Sequence, residues 1–127
     1  MAKDSRIVYK MLDSNDGISE NTNRALEMAT GEFIALMDHD DVITPDALYH
    51  LVKAVNEDAM ADSVYSDEDK MDMDGRKLFE PHFKPDFNID YLRSCNYICH
   101  MFMTRTSIAR EVGAVSYTHL TLPTIRL

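Results

Sequence analysis

The chain has 127 residues, and its 45% hydrophobic composition is enough to bury the core of one globular domain. Its formal net charge of -9 argues against a nucleic-acid binder, which needs clustered Lys and Arg to neutralise phosphates. Cys95 and Cys99 are too few for a disulfide framework or a thiolate zinc site, so we expect free thiols in a reducing compartment.

Membrane-spanning and secreted proteins are also disfavoured. No apolar run approaches the ~20 residues that cross a bilayer, and the N-terminus lacks the apolar stretch of a signal peptide. We therefore predict a cytoplasmic protein. Such a protein can still work at the inner face of a membrane, because acting on a lipid-linked substrate requires no spanning helix of its own.

The first part of the chain alternates predicted strands and helices. Residues 6–12 are apolar and β-branched and run into turn formers, which predicts a strand followed by a loop. A helix should extend from about residue 19 to residue 30 and end at Gly31. The apolar run 33–37 predicts a buried strand.

The same alternation continues beyond this strand. Thr44 and Pro45 have the form of a helix N-cap followed by proline at the first helical position, and apolar residues at helical spacing predict a helix to about Glu57. Residues 63–65 form a predicted short strand that runs into the acidic segment 66–70. This order predicts an α/β domain with a mostly parallel sheet and flanking helices.

The remaining residues are less regular. Residues 71–90 contain prolines among aromatic side chains and predict a functional loop region, with a turn at Asp74-Gly75. A short helix over 89–95, a strand over 97–103 and a helix over 106–112 should follow. Residues 114–127 show no helical period and resemble the translation of a sequencing-library adapter, so we predict a non-native tail there.

Three carboxylates follow the predicted strand at 33–37, on Asp38, Asp40 and Asp41. Crowded carboxylates repel one another, so they need a bound cation or hydrogen-bond donors. Oxygen ligands at a strand end suit Mg²⁺ or Mn²⁺. The alternative is that Asp40 or Asp41 caps the turn before the next helix. A second acidic cluster, at residues 67–69, follows another predicted strand, which favours a shared site.

Several further motifs occur in one order along the chain. They are Gly17-Ile18-Ser19 with Asn21 and Asn23, the run 29–41 with its D-x-D pattern, and the segments 45–48, 66–70, 83–86 and 94–98. Together they resemble the nucleotide-sugar-binding half of family 2 glycosyltransferases, especially bacterial members acting on cell-surface polysaccharides. The resemblance implies an incomplete GT-A, Rossmann-like domain over residues 1–113, truncated at both ends.

The resemblance also implies an activity. Enzymes of this family transfer a sugar from a nucleotide-diphosphate sugar to a hydroxyl of a glycan or lipid-linked glycan, with inversion. It implies Mg²⁺ or Mn²⁺ at Asp38 and Asp40, with Asp41 as a further ligand, because a cation offsets the charge of the departing diphosphate. His39 is expected to be structural. The alternatives are a non-catalytic nucleotide- or metal-binding fragment and a metal-dependent nucleotidyl- or phosphotransferase.

The resemblance extends to residues on both sides of the reaction. On the donor side it implies Asn15, Gly17 and Asn23 together with Asp38 and Asp40; a plain turn glycine and a local cap are equally good interpretations of Gly17 and Asn23. On the acceptor side it implies Asp67, Asp69 and Lys84, for which solvated surface is the alternative. The family's general base, an Asp or Glu, is expected beyond Gly113, so no residue here is predicted to be catalytic.

Overall fold

The structure is a computed structural model that describes residues 4–114. Its four helices in that range are α1 (Ile18–Met28), α2 (Ala47–Glu57), α3 (Ile89–Ser94) and α4 (Thr106–Glu111). The strands are β1 (Phe33–Leu36), β2 (Ser63–Tyr65), β3 (Glu68–Met71), β4 (Leu78–His82) and β5 (Phe102–Arg105). The predicted tail lies outside the described residues apart from Ala114. No helix in residues 4–114 is long and apolar enough to cross a bilayer.

The central sheet has three strands in the order β1-β5-β2, and β5 is antiparallel to both neighbours. Strands β1 and β2 run in the same direction, as the alternation predicted, but they do not pair. The chain instead places β5 between them. The structure therefore confirms an α/β domain and does not show a mostly parallel sheet, because alternation along the chain does not reveal which later strand fills the gap between two earlier ones.

Two predicted strands differ from the structure. Residues 6–12 form no strand, and Ile7, Val8 and Met11 are exposed, because β-branched composition forms a strand only where a neighbour accepts its hydrogen bonds. The strand predicted over 97–103 begins only at Phe102. Lys84 occupies the carbonyls of Ile98 and His100, so that stretch is irregular.

The predicted loop region 71–90 contains most of a two-stranded antiparallel hairpin. Strand β3 pairs with β4 in a register that joins Glu68 to His82 and Met71 to Leu78. The turn predicted at Asp74-Gly75 is confirmed, since the Gly75 amide donates to the Asp72 carbonyl over 2.9 Å and Gly75 has a φ of 69°. The prediction missed the hairpin because β3 is mostly charged and lacks the alternation of a half-buried strand.

The bounds of the helices lie close to those predicted from the spacing of apolar residues. Helix α1 begins one residue before the predicted start, and α3 and α4 lie within their predicted ranges. Helix α2 begins at Ala47 with Asp46 as its N-cap, so the Thr44 cap was wrong; the Thr44 carbonyl instead accepts the Ala47 amide in a preceding turn. A small core joins α2 to the sheet, comprising Leu51, Met101 and Met103 with Phe33, Ile43, Val55 and Val64.

Candidate functional site

Asp38, Asp41 and His100 meet just beyond the carboxyl end of β1. One potential ligand atom from each lies within 4.8 Å of the others, and His100 Nε2 is 3.0 Å from Asp38 Oδ2. The sheet register explains this meeting. Leu36 pairs with Phe102 in the antiparallel β1-β5 ladder, so continuing the same register places residue 38 opposite residue 100. A backbone hydrogen bond of 3.4 Å from the Asp41 amide to the Asp38 carbonyl turns Asp41 back toward the cluster.

Asp40 lies outside this cluster. Its side chain is 77% exposed, and Asp40 Oδ1 lies 3.9 Å from His39 Nδ1. The structure therefore brings together two of the three predicted metal ligands, and the metal role of Asp40 stays a prediction. The side chain of His39 is 98% exposed, and the structural role expected of it stays a prediction.

His100 was not among the predicted site residues. Its Nδ1 atom is buried and has no hydrogen-bond partner among the described residues. A proton on Nδ1 would therefore be an unpaired buried donor, which is costly, whereas a proton on Nε2 is donated to Asp38. We assign the Nε2–H tautomer on this ground. The feature of the sequence that could have indicated His100 is its position as a single histidine within the apolar run 97–103.

The two carboxylates fit a divalent cation. Mg²⁺ and Mn²⁺ are commonly bound by one or two protein carboxylates, with water and substrate phosphate completing the shell. Asp38 and Asp41 are exposed and close enough to share one ion. In the assigned tautomer His100 orients Asp38 through a hydrogen bond instead of ligating the ion, as partners of metal-binding carboxylates commonly do.

A second cluster, centred on Glu68, adjoins the first. Glu68 Oε2 accepts from Lys84 Nζ over 3.0 Å and from the His100 amide over 2.8 Å, and Oε1 accepts from His82 Nδ1 over 3.1 Å. Burial alone raises the pKa of the Glu68 carboxyl. The hydrogen bonds from His82, Lys84 and the His100 amide outweigh that effect and hold the pKa below its usual value.

Lys84 is an internal residue. Its side chain is 0% exposed, and besides Glu68 its ammonium donates to the carbonyls of Ile98 over 3.1 Å and His100 over 3.0 Å. These three acceptors match the three hydrogens of an ammonium group. Lys84 is thus not solvated surface, and no ammonium hydrogen remains for an acceptor sugar in this arrangement. Its predicted acceptor-side role stays a prediction.

The other two residues predicted on the acceptor side are Asp67 and Asp69. Asp67 Oδ1 accepts from the Lys84 amide over 2.8 Å, so Asp67 fixes the backbone of the residue whose side chain reaches Glu68. Asp69 is exposed on β3. Sequence reasoning named these two and missed Glu68 between them, because β3 was not predicted and the opposite directions of successive side chains along it could not be assigned.

The predicted donor loop has a well-defined local structure. Asn15 Oδ1 accepts from the Gly17 amide over 3.2 Å and from Asn21 Nδ2 over 3.0 Å. Gly17 is the N-cap of α1 with a φ of 92°, a backbone conformation that favours glycine. Asn23 lies within α1, so it is not the cap of that helix. Donor contacts by Asn15, Gly17 and Asn23 stay predictions.

Three tyrosines support the segment after Lys84. Tyr97 stacks on Tyr91 at 4.6 Å between ring centroids and meets the edge of Tyr65 at 5.9 Å. The Tyr65 hydroxyl donates to the Pro85 carbonyl over 2.6 Å, and the Asn88 amide donates to the Tyr97 hydroxyl over 2.9 Å. The pKa of Tyr65 is raised to about 12, mainly because the hydroxyl is desolvated by burial and secondly because of its hydrogen bond with Tyr97.

Comparison with known proteins identifies relatives of the chain. Residues 1–113 match the sequence profile of Glycosyl transferase family 2. Over 113 residues, which are 89% of the chain, it is 41% identical to an uncharacterized protein of Sinorhizobium fredii and 29% identical to O-antigen biosynthesis protein RfbC of Myxococcus xanthus. Over 95 residues, or 75% of the chain, it is 28% identical to chondroitin synthase of Escherichia coli.

These relatives are much longer than the chain. The matched region makes up 12% of the Sinorhizobium protein, 9% of the Myxococcus protein and 14% of the Escherichia protein. The profile match nevertheless covers most of the chain and includes every residue of the two clusters described above. The chain belongs to glycosyltransferase family 2, and with it to the GT-A fold.

Proposed function

We propose that this domain serves the metal-assisted transfer of a sugar from a nucleotide-diphosphate sugar to a hydroxyl of a glycan or lipid-linked glycan, with inversion at the anomeric carbon. The observation that carries the proposal is the meeting of Asp38 and Asp41 with His100 at the end of β1. Family membership supports a transferase. Two relatives named for O-antigen biosynthesis and chondroitin synthesis favour a glycan acceptor. The cytoplasmic location predicted from the sequence is part of the proposal.

Each residue of the site has a distinct task in this proposal. Asp38 and Asp41 would hold Mg²⁺ or Mn²⁺, and when bound the cation supplies Lewis-acid stabilisation of the departing diphosphate. His100 keeps one oxygen of Asp38 in a hydrogen bond, which fixes the direction of the other. Asp40, at the exposed rim, is a donor contact. The proton of the acceptor hydroxyl is assigned to no residue of this chain.

Cation binding by the 127-residue chain tests the metal assignment. Electron paramagnetic resonance of Mn²⁺ should show binding that weakens about tenfold or more in Asp38→Asn and in Asp41→Asn, because each removes a charged ligand. Asp90→Asn is the matched control, since Asp90 is an exposed carboxylate on α3 that is 90% exposed. Unchanged Mn²⁺ binding in the Asp38→Asn, Asp41→Asn double variant would contradict the assignment. The Asp40→Asn variant tests separately whether the carboxylate of Asp40 contributes to Mn²⁺ binding.

The products formed from nucleotide sugars test the reaction class. A chain extended at both ends should release a nucleoside diphosphate in a metal-dependent manner when a nucleotide sugar and a glycan acceptor are supplied. Release of a nucleoside monophosphate would point to transfer of the sugar phosphate, and release of a sugar 1-phosphate would point to nucleotidyl transfer. Tight binding of a nucleoside diphosphate without any turnover would favour a binding module.

A further inference from the structure

The position of His100 needs an explanation beyond the sheet register. His100 precedes β5 and lies in a stretch that is not part of a strand, so ladder hydrogen bonds do not fix its backbone. Two charged side chains replace them. The His100 amide donates to Glu68 Oε2 over 2.8 Å, and the His100 carbonyl accepts from Lys84 Nζ over 3.0 Å. Both polar groups of this residue's backbone are therefore held by one ion pair.

The ion pair is well suited to hold a backbone in place. Lys84 Nζ and Glu68 Oε2 are 3.0 Å apart, and the lysine side chain is wholly buried. Hydrogen bonds to ionised groups are shorter and stronger than those between neutral groups. His82 donates to the other oxygen of Glu68, so the carboxylate has little freedom to rotate. The imidazole of His100 extends from this fixed backbone to Asp38.

We propose that Glu68 is a positioning residue for the Asp38 site: together with Lys84 it fixes the His100 backbone, so that the imidazole stays in contact with Asp38 and the Asp38-Asp41 pair keeps its affinity for a divalent cation. The part that concerns the cation rests on the proposed function. The hydrogen-bonded path runs from the β3-β4 hairpin through Glu68 and His100 to the end of β1.

A purely structural role makes a different prediction. If the ion pair only docks the hairpin onto the sheet, loss of Glu68 lowers stability and leaves the geometry of the folded site unchanged. If Glu68 positions His100, its loss separates the imidazole from Asp38 in protein that is still folded. Glu68→Ala removes all three contacts. Glu68→Gln can keep them, because the amide oxygen accepts from Lys84 and the His100 amide, while the NH₂ group donates to His82 Nδ1 once that imidazole carries its proton on Nε2.

Nuclear magnetic resonance of the His100 imidazole nitrogens tests the contact without metal, with all variants compared at the same pH. Asp38→Asn should shift the His100 resonances in the wild-type and Glu68→Gln backgrounds and leave them unmoved in the Glu68→Ala background. Glu80→Ala is the control, because Glu80 is an exposed carboxylate on the same hairpin paired with Lys70. An equal shift in the Glu68→Ala background would overturn the proposal.

Mn²⁺ affinity provides the second readout, taken well below the unfolding temperature of each variant. Glu68→Ala should weaken binding about tenfold or more, the range observed when partners of metal ligands are removed, and Glu68→Gln should recover most of it. Wild-type affinity in folded Glu68→Ala would overturn the effect on the cation. If wild-type protein binds no Mn²⁺, the metal assignment under the proposed function fails, and the resonance experiment alone decides whether Glu68 positions His100.

Discussion

Replacing Lys84 with methionine should destabilise the protein strongly, because the change keeps an apolar side chain of similar length and removes only the ammonium group. That group is buried and has three acceptors, on Glu68, Ile98 and His100. Breaking a buried ion pair by removing one partner costs about 3–5 kcal/mol. Glu68 is 35% exposed and keeps two other donors, so water offsets part of the loss. We therefore expect the free energy of unfolding to fall by about 3 kcal/mol, the low end of this range.

A loss of this size is easily measured. It corresponds to a change of more than about a hundredfold in the folding equilibrium, since every 1.4 kcal/mol is tenfold. Urea unfolding followed by far-ultraviolet circular dichroism should show a lower midpoint with an unchanged slope. Lys70→Met is the matched control, because Lys70 is 65% exposed and its ion pair with Glu80 lies on the hairpin surface. Exposed pairs of this kind contribute little to stability.

The comparison of the two lysines can refute the reasoning. If Lys84→Met and Lys70→Met lower the free energy of unfolding by the same amount, within about 0.5 kcal/mol, the buried ammonium group does not anchor the 98–100 segment. A Lys84→Met variant that retains full stability would also remove the structural basis for assigning Glu68 its positioning role.

Further predictions concern pH and the metal site. Because Glu68 has a lower pKa in the folded protein than its usual 4.5, the folded state binds fewer protons, so its contribution to stability is present above pH 4.5 and lost as the pH falls through the folded pKa. The free energy of unfolding of Glu68→Gln should therefore fall less steeply than that of the wild type as the pH drops below 4.5, and equal slopes would contradict this. The pKa of Tyr65 is raised from 10.0 to about 12, so its contribution to stability is present below pH 10 and is lost as the pH rises to about 12. Ultraviolet titration should therefore show one fewer tyrosine that ionises at high pH in Tyr65→Phe than in the wild type. An unchanged titration curve would contradict this. The Mn²⁺ affinities of the Asp38→Asn, Asp41→Asn and Glu68→Ala variants, described above, complete the set.

Local patterns were sufficient for the parts of the fold that depend on neighbours in the sequence. The apolar run before Asp38 predicted β1 and the position of the carboxylates at its end. Helical spacing of apolar residues predicted α1 and α2 to within a few residues. The turn at Asp74-Gly75 followed from the conformational freedom of glycine. Each of these features depends on residues that are close together in the sequence.

The parts that could not be predicted depend on partners far apart in sequence. Nothing in residues 102–105 indicates that they insert between β1 and β2, since an apolar stretch is compatible with either direction and either neighbour. His100 reaches Asp38 only as a result of that insertion. The burial of Lys84 and its contact with Glu68 could not be predicted either, because a lysine in a loop with prolines is usually solvated, and burial follows only when complementary groups converge.

The central position of β5 has a consequence for the order in which the protein folds. In the part of the chain that the structure describes, β1 and β2 have β5 as their only neighbour in the sheet. A nascent chain released up to residue 100 therefore contains α1, α2, α3 and the hairpin but cannot close this sheet. Contacts between such distant segments form late and slowly. His100 enters on the leading end of β5, so the sheet and the carboxylate site are completed in the same step of folding.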